Sequence, residues 1–250
     1  MLTAVALPGL PELKPGDDLA ALIVGALGEH GPLRSGDVLV VAHKAVSKAE
    51  GRTRKLSDVQ PGPRAIELAR EHAKDARHVQ VVLDEARSLL RAAHGVIICE
   101  THHGFVCANA GVDASNAPGS GTVVLLPRDP DASARALRAR LASLVAVAPG
   151  IVIADSFGRA WRHGQLDIAI GCAGLGPLED WRGRTDASGR ELKATSIAIA
   201  DELAAAADLT RTKDGLQPAV LVRGAGRHVT ADDGPGAAAI IRPEADDLFR

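Results

Sequence analysis

The stretch DDLAALIVGALGEHGPLRSGDVLVVAHKAV, residues 17–46, indicates the class of the fold. Residues 17–29 open with two acids and repeat apolar side chains at helical spacing, which predicts a helix. Gly36 and Asp37 then precede the β-rich run VLVVAHKAV, 38–46, which predicts a buried strand. A helix, a turn and a buried strand in this order favour a mixed α/β or α+β protein.

The rest of the chain continues this mixture of helices and strands. The alternating run 96–108, interrupted by His102, His103 and Gly104, predicts a hairpin, and 111–121 is a polar loop rich in Gly and Pro. The other segments are predicted as helices over 63–74, 79–93, 129–144 and 189–209 and as strands over 123–127, 151–156, 166–174 and 218–224. Because helices and strands do not alternate strictly, the pattern indicates the class of the fold but not its topology.

Composition and charge limit the partners of the protein. The 250 residues are 46% hydrophobic and 24% charged, the proportions of a soluble globular protein with one large domain or two small ones. Lys and Arg number 29 against 31 Asp and Glu, so no basic excess draws the molecule to nucleic acid or to an anionic membrane. Apolar runs are shorter than the roughly 18 residues of a membrane span, and the first residues lack a basic signal-peptide region. We therefore expect a cytoplasmic protein.

Cysteines and aromatic residues are few. The three cysteines, Cys99, Cys107 and Cys172, show no CxxC spacing, which predicts free thiols in a reducing compartment and gives no zinc signature. Tyr is absent, so the core is expected to consist of Ala, Val, Leu and Ile. Four of the five aromatic residues lie within or beside the polar segments discussed below, where they either wall a cleft or stack on a planar ring: Phe105, Phe157, Trp161 and Trp181.

Several common catalytic motifs are absent from the sequence. It contains no GxxxxGK[ST] phosphate loop and no GxGxxG that follows a strand and opens a helix, so a bound nucleotide would be held in another way. It also contains neither GxSxG nor HExxH, which removes the commonest hydrolase and metalloprotease classes. The adjacent Ser47 and Lys48 do not have the S-x-x-K spacing of a hydrolase dyad.

Two acidic sites are candidates for cation binding. Asp113 lies in NAGVDASN, 109–116, among small residues that allow close approach of a ligand, and oxygen-rich loops of this kind suit Mg²⁺ or Mn²⁺. The alternative is that Asp113 or Asn116 makes an Asx turn. Asp155 and Ser156 follow an apolar run, at the end of a strand where α/β proteins commonly place ligands for metals and phosphates. Here the alternative is a helix N-cap.

Basic residues form two groups near these acids. The first group follows the first buried strand, and the second follows Asp155. Arg offers forked hydrogen-bond donors and Lys a point charge, so either group suits a phosphate, although a solvated surface explains them equally well. The members are His43, Lys44, Lys48, Arg52 and Arg54 in the first group and Arg159, Arg162 and His163 in the second.

Five long motifs, in this order, resemble the coenzyme F420-0:γ-glutamyl ligase family. They are LPGLPELKPGDDL, GDVLVVAHKAVSKAEGR, THHGFVCANAGVDASN, IADSFGRAWRHGQLDIAIG and GRTDASGRELKATSIAIADELAAAADL, and the match extends from about Leu7 to Gly224. The resemblance implies a two-lobed mixed α/β chain that forms an intimate homodimer, with one ligase domain over 1–250. It also implies a GTP-dependent enzyme that adds L-glutamate to the deazaflavin precursor coenzyme F420-0, first to the carboxylate of its lactyl-phosphate side chain and then through γ-linked amide bonds.

The resemblance also implies site residues. It assigns divalent cations, two ions of Mg²⁺ or Mn²⁺ with K⁺ as a further candidate, to Asp113 and Asp155, with Ser156 on the second ion. The two acids are the ones that the residues themselves suggest as cation ligands. The GTP contacts implied by the motifs are Leu10, Pro11, Glu12, Leu13, His43, Lys44, Lys48 and Asn116.

Two segments depart from the family pattern. Positions 43 and 44, often small hydroxyl residues in the family, are His43 and Lys44 here, which add charge near the expected phosphates. The segment that completes the second metal site in some members is Thr-Arg-Thr-Lys-Asp here, residues 210–214, and its Lys213 cannot serve as an ordinary cation ligand. A binding protein of the same fold that does not ligate is therefore the alternative function.

The expected reaction passes through an acyl phosphate. The γ-phosphate of GTP moves to the acceptor carboxylate, and the α-amine of glutamate then attacks the activated carbonyl, because a carboxylate is a poor acyl donor at neutral pH. Three histidines are candidates for the general base by their position in the sequence alone: His102, His103 and His163.

Overall fold

The structure, a computed structural model, describes residues 1–212 and 214–247. In that part of the chain the helices are α1 (Leu19–Ala26), α2 (His43–Ala49), α3 (Pro63–His72), α4 (Ala76–Glu85), α5 (Pro130–Val145) and α6 (Ile199–Asp208). The strands are β1 (Thr3–Ala6), β2 (Val38–Ala42), β3 (Thr53–Lys55), β4 (Ala86–Ala93), β5 (Val96–Thr101), β6 (Val106–Ala108), β7 (Thr122–Val124), β8 (Gly150–Arg159), β9 (Arg162–Ala173), β10 (Glu179–Asp180), β11 (Ser196–Ile197) and β12 (Ala219–Arg223). This mixture confirms the predicted α/β class.

The main sheet has the strand order β1-β12-β2-β8-β9. β2 and β8 are parallel neighbours, paired from Val38 with Gly150 to Ala42 with Ala154, and the other pairs in this sheet are antiparallel. Both parallel strands contain continuous apolar runs, which is typical of strands that are covered on both faces. The sheet therefore lies at the centre of the molecule.

Helices cover both faces of the main sheet. Successive side chains of a strand point to opposite faces, so an apolar strand needs cover on both sides. Leu39 and Val41 of β2 pack on the same side as α1 and α5, whereas Val38 and Val40 pack on the side of α6. All four side chains are fully buried. Burying a side chain of this kind contributes about 1.5 to 3 kcal/mol, so the two faces together hold β2 in place.

A second apolar cluster lies away from the main sheet. The antiparallel sheet β4-β5-β6 packs with α3 and α4 around buried side chains that include Leu68, Val82 and Ile97. A short antiparallel pair is formed by β3 with β7, and the loop after residue 108 leads into β7. The predicted two-lobed shape and the homodimer stay predictions.

Several sequence predictions of elements are confirmed. The predicted hairpin at 96–108 is formed by β5 and β6. The predicted helix from 129 is α5, and Asp129 caps it by accepting a hydrogen bond from the N–H of Ala132 at 2.8 Å. Asp18 caps α1 in the same way, through the N–H of Ala21. The three cysteines are free and buried, as expected.

Two predicted boundaries were wrong. The strand predicted over 38–46 ends at Ala42, where its parallel pairing with β8 ends, and His43 begins α2. The helix predicted over 79–93 ends at Glu85, and the rest is strand β4, which pairs with β5. The Ala, Arg and Leu of β4 favour a helix locally, so pairing with a neighbouring strand overrides their propensity.

The predicted long helix at 189–209 is also shorter than expected. α6 begins at Ile199, because Ser196 and Ile197 form strand β11, which pairs with β10, and the residues before them pair with 181–186. The run 219–223 forms strand β12 as predicted. Among the described residues, no helix has both the length and the apolar character that crossing a bilayer requires.

Candidate functional site

A cavity of about 590 Å³ opens at the carboxyl end of β2, where its parallel pairing with β8 ends at Ala42 and Ala154. This volume lies within the range of small-molecule sites, about 300 to 1,000 Å³. Ligands of open α/β sheets commonly bind at the carboxyl ends of neighbouring parallel strands. The polar side chains at its wall, together with all the predicted site residues, are Leu10, Pro11, Glu12, Leu13, His43, Lys44, Lys48, Asp113, Ser115, Asn116, Asp155, Ser156, Gln165, Asp167, Asp208, Arg211, Thr212 and Gln217.

Helix α2 carries two lysines on the wall of this cavity. Lys44 and Lys48 are four residues apart, so they lie on one face of the helix. The Lys48 side chain is 9% exposed, and its ammonium donates a hydrogen bond of 2.6 Å to Oε1 of Glu12, whose side chain is 52% exposed. The loop that contains Glu12 is anchored by buried Leu10 and Leu13. The structure thus brings the loop of 10–13 and the helix of 43–48 together, as a shared ligand requires.

Asp113 lies opposite this helix and is paired with it. Lys44 Nζ donates to Asp113 Oδ2 at 2.5 Å, and the Ser115 hydroxyl donates to the same oxygen at 2.8 Å. Burial acts to raise the pKa of the Asp113 carboxyl, but the hydrogen bonds from Lys44 and Ser115 outweigh it, and the pKa lies below its usual value. Asp113 is therefore an anion at neutral pH.

The Asx-turn interpretation of the loop at 113–116 is also correct. The N–H of Ser115 donates to Asp113 Oδ1 at 2.7 Å, and Asn116 has a positive φ of 53°. The turn does not remove the carboxylate from the cavity, because Asp113, Ser115 and Asn116 all line it. The turn instead holds the carboxylate in place.

Asp155 lies within a strand rather than at its end. β8 continues to Arg159 and forms a hairpin with β9, so the N-cap alternative was wrong. Asp155 is the first residue of β8 beyond its parallel pairing with β2, and its Oδ1 lies 3.3 Å from Nε2 of His43. Its neighbour Ser156 donates its hydroxyl to Asp167 Oδ1 at 2.6 Å.

Sequence reasoning missed an acidic group on the β9 side of the cavity. Asp167 is 4% exposed in its side chain and pairs with Arg211, which also lies 3.8 Å from Oδ1 of Asp208. Asp167 interrupts the apolar run LDIAI, and a carboxylate in a buried strand is the signal that could have found it. Arg211 belongs to the divergent segment 210–214, of which Lys213 lies outside the described residues.

The second basic group does not reach the cavity. Arg159, Arg162 and His163 are exposed at the turn of the β8–β9 hairpin, where Arg159 donates to the carbonyl oxygen of His163 at 2.9 Å. This favours a solvated surface for that group. Of the first group, Arg52 pairs with Glu85 at 2.6 Å instead of lining the cavity.

The histidines of the hairpin loop lie elsewhere as well. His103 Nε2 lies 2.9 Å from the carbonyl oxygen of Pro127, and His102 Nε2 lies 3.3 Å from that of Asp84. Neither they nor His163 line the cavity, so the described residues place no predicted base beside it.

The aromatic side chains do not line this cavity either. Phe105 and Phe157 pack edge to face at 6.2 Å between ring centroids and wall a second cavity of about 230 Å³. Trp161 is 80% exposed, and Trp181 lies under the guanidinium of Arg184 at 4.6 Å. Of the two interpretations for these residues, packing along a cleft is supported for the two phenylalanines.

The donors of the cavity fit a hard cation. Carboxylates of Asp113, Asp155 and Asp167 and the hydroxyl of Ser156 supply oxygen, the ligand atom that Mg²⁺ and Mn²⁺ prefer. Within residues 1–212 and 214–247, no three His, Cys, Asp or Glu side chains converge closely enough to hold a cation alone. Such a cation would therefore complete its coordination with water or phosphate oxygens, as Mg²⁺ usually does.

Comparison with known proteins identifies the family of the chain. Residues 9–224 match the family model described as F420-0:Gamma-glutamyl ligase. A protein of Methanopyrus kandleri named coenzyme F420:L-glutamate ligase is 48% identical, over 96% of this chain and 94% of its own length. Proteins of the same name from Methanothermobacter thermautotrophicus and Methanocaldococcus jannaschii are each 41% identical, over 100% and 96% of this chain and 99% and 94% of their own lengths. The chain therefore belongs to the F420-0:γ-glutamyl ligase family.

Proposed function

We propose that the protein is a GTP-dependent ligase that attaches L-glutamate to coenzyme F420-0 and then adds further glutamate through the γ-carboxylate. The observation that carries this proposal is the cavity where the pairing of β2 with β8 ends, in a chain of this family, which combines cations for phosphates with carboxylates for a metal. A ligase of this kind must bring the triphosphate of GTP, the acceptor carboxylate and glutamate together, and such a cavity offers both signs of charge.

The lysines of α2 are proposed to hold the phosphates of GTP. Lys48 is almost fully buried, so its charge is poorly screened by solvent and acts strongly on a nearby phosphate. Lys44 is bound to Asp113, which fixes the ammonium at the cavity wall. Backbone and side-chain groups of 10–13 and the amide of Asn116 are proposed to contact the rest of the nucleotide.

The carboxylates are proposed to hold divalent cations. Asp113 and Asp155 would each ligate one of two ions of Mg²⁺ or Mn²⁺, with the hydroxyl of Ser156 on the second, and K⁺ is a further candidate. When bound, such ions supply charge that offsets the negative charge of the transferred phosphoryl group. Asp167 accepts from Ser156 and is held by Arg211, so it is not assigned to an ion.

The proposed reaction has two steps. A carboxylate oxygen of the acceptor attacks the γ-phosphorus of GTP, the bond to the β-phosphate oxygen breaks, and GDP leaves. The α-amine of glutamate then attacks the acyl phosphate, an amide bond forms, and inorganic phosphate leaves with loss of a proton from the amine. Lys44 and Lys48 position the phosphates for the first step, which depends on alignment more than on covalent chemistry.

The experiment that tests the function is a product analysis. The protein is incubated with GTP, Mn²⁺ or Mg²⁺, L-glutamate and coenzyme F420-0, and the molecular mass of the deazaflavin product is determined by mass spectrometry. We expect a product heavier by one or more glutamyl residues, with GDP and phosphate released in equal amounts, and poor activity with ATP because a site that hydrogen-bonds one base rejects another.

Two results would contradict parts of this proposal. Release of GMP and pyrophosphate would replace the acyl-phosphate route by nucleotidyl transfer. Binding of GTP without any glutamylated product under either metal would favour a binding protein of the same fold, an alternative that the pairing of Arg211 with two acids of the cavity supports.

We also propose that the protein is a cytoplasmic homodimer. Light scattering at micromolar concentration should then give about twice the chain mass of 25.8 kDa. A particle of 25.8 kDa would contradict the dimer and leave the proposed reaction untouched.

A further inference from the structure

We propose that His43 is a metal ligand, that its Nε2 shares one cation with Asp155, and that it makes this site prefer Mn²⁺ over Mg²⁺. The inference rests on the proposed function in one respect, that a divalent cation binds at Asp155. It differs from the nucleotide contact that the family resemblance implies for this position. Position 43, where the family often has a small hydroxyl residue, would here supply a nitrogen ligand.

The first observation is a buried nitrogen without a hydrogen bond. His43 is 2% exposed and lies on the cavity wall, and its Nε2 finds no hydrogen-bond partner among the described residues. Leaving a buried polar atom unsatisfied is costly, so such atoms usually have a hydrogen-bond partner or a bound ion. Oδ1 of Asp155 lies 3.3 Å from this nitrogen.

The other ring nitrogen is oriented as in a metal-binding histidine. His43 Nδ1 lies 3.4 Å from the hydroxyl oxygen of Ser47, one turn further along α2, and Ser47 is fully buried. A histidine that binds a metal normally donates its second ring N–H to an oxygen acceptor, which fixes the tautomer. With the proton on Nδ1 and donated to Ser47, Nε2 carries the free lone pair and lies 3.3 Å from Oδ1 of Asp155.

The distance between the two atoms suits a shared cation. Ligand bonds of about 2.1 Å that meet at 90° place the ligand atoms about 3.0 Å apart, and a tetrahedral angle places them about 3.4 Å apart. The 3.3 Å between Nε2 and Oδ1 lies between these values. Nε2 and Oδ1 are thus spaced as two ligands of one cation would be, and water or phosphate oxygens would complete the coordination.

An ion pair between a protonated His43 and Asp155 is the competing explanation. A charged imidazolium would donate Nε2–H to the carboxylate, yet that contact is not aligned as a hydrogen bond. Asp155 Oδ1 already accepts the N–H of Ser156 at 2.8 Å. The two explanations predict opposite effects of removing the imidazole, because an ion pair competes with the cation and a ligand helps to bind it.

A nitrogen ligand changes the choice of metal. Imidazole suits transition metals, whereas Mg²⁺ prefers oxygen from carboxylate, carbonyl and water. The other candidate metal ligands around the cavity, the carboxylates and hydroxyls, offer oxygen, so His43 is the group that would distinguish Mn²⁺ from Mg²⁺. Replacing it by serine, which the family often has at this position, should remove that distinction and keep the carboxylate.

The experiment measures metal binding to the full chain without nucleotide, acceptor or glutamate. Affinities for Mn²⁺ and for Mg²⁺ are determined by calorimetry for the unmodified protein and for His43→Ser, with circular dichroism as the check of folding. We expect Mn²⁺ binding to weaken by about 10 to 100-fold in His43→Ser and Mg²⁺ binding to change much less. His163→Ser is the matched control, since His163 is exposed on the β8–β9 hairpin, and it should change neither affinity.

A spectroscopic measurement on the unmodified protein does not depend on the variant folding. With less than one equivalent of Mn²⁺, pulsed electron paramagnetic resonance should detect coupling of the ion to an imidazole nitrogen. The coupling should disappear in Asp155→Asn, although His43 is intact there, because the ion is lost from the shared site.

Three results would overturn the proposal. They are no nitrogen coupling in the unmodified protein, no Mn²⁺ binding at millimolar concentration, and tighter binding of both metals by His43→Ser, the mark of an ion pair. Nitrogen-coupled Mn²⁺ in a protein that forms no glutamylated product would defeat the proposed function alone. A glutamylating protein without the coupling would defeat only the assignment of His43.

Discussion

Replacing Lys48 by methionine should weaken the binding of GTP strongly while leaving the fold intact. The side chain of Lys48 is 9% exposed and lines the main cavity, and its ammonium has Glu12 as its ion-pair partner at 2.6 Å. Methionine has a similar length and no charge, so it fills nearly the same space among the apolar neighbours of α2. The substitution therefore removes the charge and little else.

The magnitude follows from the bond that is lost. A hydrogen bond to a charged group contributes about 1.5 to 3 kcal/mol, and each 1.4 kcal/mol is tenfold in affinity, so KM for GTP should rise by about 10 to 150-fold. The cost in stability should be small, because Glu12 is 52% exposed and its freed carboxylate can be hydrated. The thermal midpoint should accordingly change little.

The assay is steady-state release of GDP at saturating glutamate, acceptor and Mg²⁺, with GTP varied. Lys55→Met is the matched control, because Lys55 undergoes the same chemical change but is exposed on β3 and does not line the cavity. Its KM should stay within about twofold of the unmodified protein, as for a surface charge. An unchanged KM in Lys48→Met, or an equal rise in both variants, would refute the assignment of Lys48 to the phosphates.

Three further predictions concern the acids and the thiols. Asp113→Asn and Asp155→Asn should each lower turnover by at least about 10 to 100-fold with circular dichroism unchanged, because each replaces an anionic cation ligand by a neutral one. Burial raises the pKa of Cys107 and of Cys172 to about 12, so a thiol reagent at pH 8 should react with them slowly until the protein is denatured. Burial also raises the pKa of Asp201 above 3.8, its value in the unfolded chain. The protonated carboxyl group therefore contributes its full stability below pH 3.8, and this contribution is lost as the pH rises through the pKa of the folded state. Asp201→Asn, which keeps an oxygen acceptor for the N–H on β9, should therefore raise the thermal midpoint at pH 7, with a smaller gain near pH 4.

Each of these predictions has a contradicting outcome. Near-normal turnover of either acid variant at saturating Mg²⁺ and Mn²⁺ would make that acid a turn or strand residue without a role in catalysis. Rapid modification of a thiol in the folded protein would show that its surroundings open readily. A lower midpoint of Asp201→Asn at pH 7 would mean that the charged carboxylate stabilises the start of α6.

The sequence by itself determined the local elements that have strong, self-contained signals. Asp129 before a run of Ala, Arg and Leu predicts the start of α5, because a cap and a helical period are local properties. The apolar runs of β2 and β8 likewise predict buried strands. The family motifs identified the loop of 10–13, the lysines of α2 and the acids Asp113 and Asp155 as one set, although they are separated by up to about 145 residues along the chain.

Only the tertiary structure decided the rest, because pairing between distant segments can override local propensity. Residues 86–93 are strand through their pairing with β5, and the residues before Ile199 are not helix because they pair with the segment 179–186. The parallel pairing of β2 with β8 ends at Ala42 and Ala154, and that register places His43 beside Asp155 and leaves Nε2 buried without a hydrogen bond. No local pattern contains that distance, since it depends on which two strands are neighbours and in which register they pair.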